Sequence, residues 1–239
     1  MDVKKLTGIL FLDIETVSQV ARFDQLPPRI QALWEAKSQT LQCEENPADS
    51  YPKKAAIYAE FGRIISIGLG RFTNRAGDLR FRTKVLYGHS EELILRDFLQ
   101  YLEQSGFNRV PLFCAHNGRE FDFPYLCRRL LIHGLPLPAS LTLMGKKPWE
   151  NAHLLDTMEL WKCGDRKAYT SLDLLAACFG IPGSKEEMTG KDVGRVYYQE
   201  NGLKRIAQYC QKDVATMARV FLRLQGLPDL EPGKVLLQG

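Results

Sequence analysis

In the stretch GILFLDIETV, residues 8–17, Asp13 and Glu15 interrupt an otherwise apolar run. Two positions apart on a strand, their side chains point to one face, which also carries Ile9, Phe11 and Val17. Two unpaired carboxylates buried side by side are costly, or force one of them to keep its proton. A bound cation removes the conflict, and an oxygen-only donor set suits the hard ions Mg²⁺ or Mn²⁺. The alternative is a strand that stops at Leu12, with both acids capping a turn. A second acid stands out near the C-terminus. With roughly 100° per residue on a helix, Ile206, Cys210, Val214, Met217, Val220, Phe221 and Leu224 share one arc. Asp213 lies inside that arc and Tyr209 at its edge, one turn earlier, so both can reach a single point. A core aspartate bonded to a backbone amide or an arginine is the competing account. The third place is AHNGREFDFPYL, where Asp122 opens a helix directly after a buried strand. Here an N-cap, followed by Pro124 in the first turn, explains the acid by itself.

The elements that must carry these residues follow from the hydrophobic period. Residues 8–14 read as a strand, 61–72 as a second, NRAG as a turn, and DLRFRTKVLYG as a third. In that third segment Leu79, Phe81, Thr83 and Val85 alternate with Arg80, Arg82 and Lys84. Together they make an antiparallel meander. The period then lengthens: HSEELILRDFLQYLEQSG is a helix with Ser90 as N-cap, Glu91 and Glu92 in its first turn and Gly106 beyond its end. PLFCAHN is a short buried strand, and a helix runs from Asp122 to Gly134. NAHLLDTMELW holds a further strand. SLDLLAACFG, the region of GKDVGRVYYQE, and residues 203–224 are helical. Between the first two strands, residues 18–62 are polar and proline-containing; PPRIQALWEAK reads as a helix and ENPADSYPKK as loop. Three strands followed by alternating helices and strands indicate an α/β domain with a mixed sheet. With no repeat or linker, residues 1–239 are expected to form one domain carrying the 18–62 stretch as an insertion, a lid or a decoration.

FLDIET, HNGREFD and YCQKD, in that order, resemble the three motifs of the DEDD superfamily of 3′–5′ exonucleases. Tyr209, four before Asp213, matches the DEDDy branch. The spacing from Asn117 to Phe121 and Asp122, with the LLDTMELW and TSLDLLA segments, is most similar to the proofreading domain of B-family DNA polymerases and its stand-alone relatives. The resemblance runs from about residue 8 to 224. It implies a ribonuclease H-like fold: a mixed five-stranded sheet flanked by helices. It also implies hydrolysis from the 3′ end of single-stranded DNA, with release of nucleoside 5′-monophosphates through two divalent cations, Mg²⁺ or Mn²⁺, about 3.5–4 Å apart. By that resemblance Asp13, Glu15 and Asp213 hold one cation, Asp13 bridges to the second, and Asp122 helps hold it. Tyr209 orients the attacking water, and Thr16, Asn117 and Phe121 meet the substrate strand. No polymerase palm or fingers follow the last motif, so the domain is expected to act alone or with a separate protein partner. Two other readings stay open: an exoribonuclease of the same superfamily, and a nucleic-acid-binding module, which would be expected to have lost one of the acids.

Candidate cations to offset the acids are Arg128 and Arg129, Lys146 and Lys147 before Trp149, and Arg166 and Lys167 before Tyr169, though a solvated charged surface is the better reading of any one of them. His116 reads as a structural histidine. A net charge of +4 permits a polyanionic partner without requiring one. The six cysteines show no zinc-knuckle spacing and read as reduced core residues. No apolar run reaches membrane-spanning length and the N-terminus is not a signal peptide, so a cytoplasmic location away from membranes is expected. No phosphate-binding glycine loop is present.

Overall fold

The computed structural model describes residues 3–41, 45–107, 112–165, 169–183, 188–231 and 233–238. Its centre is β1, Ile9–Ser18, whose ten residues are buried but for Asp13, which is half-buried. A short helix, α1 (Val3–Leu6), precedes it, and the strand runs on well past Leu12, so the acids lie in a strand and cap no turn. β1 pairs antiparallel with β2 (Gly62–Arg75), and β2 with β3 (Asp78–Tyr87), giving the expected meander. β4 (Leu112–Ala115) lies parallel to β1, and β5 (Leu154–Asp156) parallel to β4. A sixth strand, β6 (Val235–Gln238), adds itself parallel to β3, so the mixed sheet has the order β5-β4-β1-β2-β3-β6 rather than five strands. This ribonuclease H-like sheet is covered by helices on both faces.

One face packs on α4 (Glu91–Ser105) and α5 (Asp122–Ile132). Leu10, Leu12 and Ile14 of β1 meet Leu95 and Phe98 of α4 and Leu126 and Leu130 of α5 there. Ser90 caps α4 through the Leu93 amide, and Gly106 closes it in the left-handed region, φ 77°. The other face packs on α9 (Leu203–Leu224), which crosses β1, β2 and β3. Phe11 anchors that face, meeting Phe72, Phe81 and Phe221 edge-on at 5.5, 5.4 and 5.5 Å. α9 can lie this close because Gly68, opposite Asp13 in the register, has no side chain. A Cβ there would come within 2.8 Å of a Val214 methyl and 3.0 Å of the Cys210 sulfur. Opposite the Glu15–Thr16 step, β2 carries one extra residue, Ile65, a bulge of the kind that re-aims side chains beside functional sites.

Residues 18–62 form a small unit on the end of β1. α2 (Pro28–Thr40) appears where PPRIQALWEAK places it. ENPADSYPKK, expected as loop, holds α3 (Pro47–Lys54): Asn46 caps it through the Asp49 amide and Pro47 takes the first turn, where its missing N–H costs nothing. Trp34 packs edge-on against Tyr51 and Phe61 at 5.4 and 5.1 Å, over Leu26 and Ala55. The remaining helices are α6 (Thr157–Lys162), α7 (Leu172–Cys178) and α8 (Val193–Tyr198), the last packing on β1 and α9. Among the described residues no helix is long and apolar enough to cross a membrane.

Candidate active site

The α9 face of β1 turns Asp13 and Glu15 toward Tyr209 and Asp213, and α5 brings Asp122 to the same place from the other side of the strand. Glu15, Asp122, Asp213 and Tyr209 are 8%, 4%, 8% and 7% exposed. Burial first, then Glu15, Asp122 and Asp213, push the Asp13 carboxyl well above its usual range. Burial, then Asp213 and Asp122, does the same to Glu15. Asp122 is pushed up to about 7, mainly by burial, although the Ile14 amide donating to its Oδ1 at 3.0 Å pulls the other way. That bond replaces the expected cap: Phe121 occupies the cap position, and Asp122, the first helical residue, reaches across 108 positions of sequence to β1. The Tyr209 phenol shares a hydrogen bond with Asp213, and burial with Asp213, Glu15 and Asp13 raises it far above 10. Four carboxylates thus act on one another in a small buried volume. Asp13 Oδ2 is buried with no hydrogen-bond partner among the described residues. Mutual repulsion and an orphaned carboxylate oxygen are what a hard divalent cation would relieve, so the donor set fits Mg²⁺ or Mn²⁺.

The residues around the acids are held by a clamp that sequence reasoning missed. Asp156, at the end of β5, accepts from the Asn117 amide at 3.0 Å, the Arg119 amide at 3.1 Å and the Met158 amide at 2.9 Å. It caps α6 and fixes the 116–121 turn that leads into Asp122; an aspartate between a buried strand and a helix was the available signal. Gly118 lets this turn close, since a Cβ there would meet the Ala115 Cβ at 2.2 Å. Asn117 sits at φ 60°, with its Oδ1 buried and without a hydrogen bond among the described residues. Asp156→Ala strands four amide donors, those of Asn117, Arg119, Met158 and Glu159, so the protein should lose about 2–3 kcal/mol, read as a lower urea midpoint at unchanged slope. Asp156→Asn, which keeps one acceptor oxygen, should recover part of it. Equal midpoints for Ala and wild type would remove the clamp.

The other expected site residues fall differently. The Thr16 hydroxyl donates to the Ala56 carbonyl at 2.9 Å, as does that of Tyr125, so Thr16 ties the 18–62 unit to the rim of the acidic cluster. Phe121 is half-buried against Tyr125, ring centres 5.3 Å apart. His116 is structural, its ring nitrogens bonded to the Thr157 hydroxyl and the Thr170 carbonyl. Arg129 is not a cation facing the acids. It is buried and spends its guanidinium on Glu91 and the Ala59 carbonyl. Arg128, Lys146 and Lys147 are exposed, with Lys147 Nζ 5.2 Å from the Trp149 ring centre. Trp149 and Tyr169 are each 72% exposed, while Arg166 and Lys167 lie outside the described residues.

Among curated proteins none matches this chain. Among solved structures it is similar to the family B DNA polymerase from the hyperthermophilic archaeon Pyrobaculum calidifontis, at TM-score 0.54 and 14% identity. That likeness covers 90% of this chain and 24% of the polymerase, so the chain spans about a quarter of the polymerase's length. It is a likeness of fold. The family described as predicted 3′–5′ exonucleases related to the exonuclease domain of PolB matches residues 57–230, a span that includes Asp122, Tyr209 and Asp213 and begins after Asp13 and Glu15. With most of its length matched, the chain belongs to this family of predicted 3′–5′ exonucleases related to the PolB exonuclease domain.

Proposed function

We propose that the chain removes nucleoside 5′-monophosphates from the 3′ end of single-stranded DNA, using two divalent cations. The observation that carries this reading is the buried group of four carboxylates with the orphaned Asp13 Oδ2 at its centre. Asp13, Glu15 and Asp213 would hold one cation, and Asp13 with Asp122 the second. When bound, such a pair supplies an activated water, a neutralised phosphate and a stabilised leaving oxygen. Burial and the neighbouring carboxylates raise the Tyr209 phenol above its usual value and favour its protonated form. It therefore acts as a hydrogen-bond donor that orients the water, and does not serve as the base. The water attacks the terminal phosphorus, the bond from phosphorus to the 3′ oxygen of the penultimate sugar breaks, and that oxygen leaves with a proton. Asn117 and Phe121, on the turn that leads into Asp122, would meet the substrate strand. The test is degradation of 5′-labelled DNA and RNA strands of one sequence with Mg²⁺ or Mn²⁺. The expected result is a ladder shortening one nucleotide at a time from the 3′ end, faster on DNA and stopped by a 3′ phosphorothioate cap. Internal cuts, or no cleavage with either metal, would overturn the reading.

A further inference from the structure

We propose that Cys210 makes the acidic cluster a trap for thiophilic divalent cations, Zn²⁺ or Cd²⁺, held by Asp13, Glu15 and the Cys210 thiolate. The inference rests on reading the acids as a cation site and adds a ligand that this reading does not use. Cys210 follows Tyr209 and precedes Asp213 by three positions, so α9 turns all three toward β1. Its side chain is fully buried, and its sulfur lies 3.5 Å from the Asp13 carbonyl oxygen. The sulfur and one carboxylate oxygen each from Asp13 and Glu15 lie within 4.8 Å of one another. A tetrahedral zinc site with sulfur and oxygen ligands sets them about 3.4–3.7 Å apart. Closing the remaining distance, about 1 Å, needs only side-chain rotation of the two acids. Three protein ligands leave a fourth position for water.

Chemistry separates two classes of occupant. Mg²⁺ and Mn²⁺ prefer oxygen donors in octahedral array and leave the thiol protonated. Zn²⁺ and Cd²⁺ favour thiolate, and on binding the thiol proton passes to solvent. Sulfur ligation commits Asp13 to one four-coordinate ion, so the thiophilic ion competes with the hard pair for the same oxygens. Two observations make this more than a cysteine near acids: Asp13 Oδ2 is buried without a hydrogen-bond partner among the described residues, and the Cys210 thiol is in hydrogen-bond contact with the Asp13 side chain.

The experiment is a Cd²⁺ titration of the full chain, followed in the ultraviolet thiolate-to-cadmium charge-transfer region, with Mn²⁺ binding followed in parallel by electron paramagnetic resonance. One equivalent of Cd²⁺ is expected to give a band that disappears in Cys210→Ser and in Asp13→Asn, the second of which keeps every thiol. Cd²⁺ affinity should fall by about 10–100-fold in Cys210→Ser. Cys210→Ala serves as a second variant, and thermal melting checks that each is folded. A band that survives Cys210→Ser belongs to another thiol, and one that survives Asp13→Asn is not held by Asp13; either result overturns the inference. Wild type that binds Mn²⁺ but shows no Cd²⁺ band overturns it too, and leaves the exonuclease reading standing. Failure of both ions to bind sinks the two together.

Discussion

Asp13→Asn is expected to abolish strand degradation and, at the same time, to make the cation-free protein more stable. The two effects have one origin. Asp13 sits among Glu15, Asp122 and Asp213, and burial with those three charges pushes its carboxyl well above the ordinary range. Its charged form therefore costs the folded state free energy at neutral pH when no cation is bound. An amide of the same shape removes the charge and keeps the volume. A gain of about 1–2 kcal/mol is reasonable for a half-buried side chain whose repulsion water partly screens, or about 2–8 °C in melting temperature for a chain of this length. The gain should depend on pH in a defined direction. Because the folded-state pKa is raised, the penalty is absent below the unfolded value of about 4, where Asp13 is protonated in both states. It grows as pH rises toward the folded value, so the difference in melting temperature should be largest at neutral pH and shrink toward pH 4. Mn²⁺ should raise the melting temperature of wild type and not of the variant. Activity should fall by about 10³-fold, the loss of about 4 kcal/mol that cation positioning contributes to the transition state. A variant less stable than wild type without cations would show that Asp13 has a favourable partner in the folded protein, and the cation reading of the cluster would go with it.

The acids could be found in the sequence because each one violates a local rule. Asp13 and Glu15 break an apolar strand and Asp213 breaks an apolar helical arc, so period places three carboxylates and Tyr209 on core-facing sides, and the resemblance to the DEDDy motifs is what implies that those sides meet. The limits of α9 are legible for the same reason, since twenty-two residues of unbroken 3.6 period leave little choice. Asp122 is different. As a local feature it is a sound N-cap, and only its bond to Ile14, 108 residues away, shows that it serves the strand. Arg129 fails in the opposite sense: two adjacent arginines suggest a basic surface, while the partner that buries one of them lies on α4. Cys210 was absorbed into the apolar arc because a thiol packs like a small hydrophobe. α3 was hidden by its prolines, and β6 by its four-residue length, too short for a period to register. What the sequence withheld, in each case, was a contact between distant segments rather than a propensity.

Glu91→Ala is expected to lower the melting temperature by on the order of 10 °C, more than any substitution at the acidic cluster, although Glu91 touches none of the four acids. Glu91 and Arg129 are both buried. Glu91 Oε1 accepts from the Ile64 amide at 2.7 Å and from Arg129 Nε at 2.8 Å, and Oε2 meets His133 Nε2 at 2.7 Å. Arg129 also donates to the Ala59 carbonyl at 2.7 Å. One carboxylate therefore joins the start of α4, the edge of β2, the body of α5 and, through Arg129, the 18–62 unit. Removing it leaves a buried guanidinium and a buried amide unmatched, a loss of about 3–5 kcal/mol. The pair itself is worth far less than that, because its attraction mostly offsets its own desolvation. The double variant Glu91→Leu with Arg129→Met removes both charges and should recover most of the loss, leaving the Ile64 amide and the Ala59 carbonyl as the residual deficits. The cycle also separates support from chemistry. Asp122 opens the helix that Arg129 anchors two turns later, so the single variant should raise KM for the strand as the helix loosens, and the double variant should bring it back. If the double variant is no more stable than Glu91→Ala, the loss does not come from an unmatched buried guanidinium, and the brace must be assigned to the Ile64 and Ala59 backbone bonds instead.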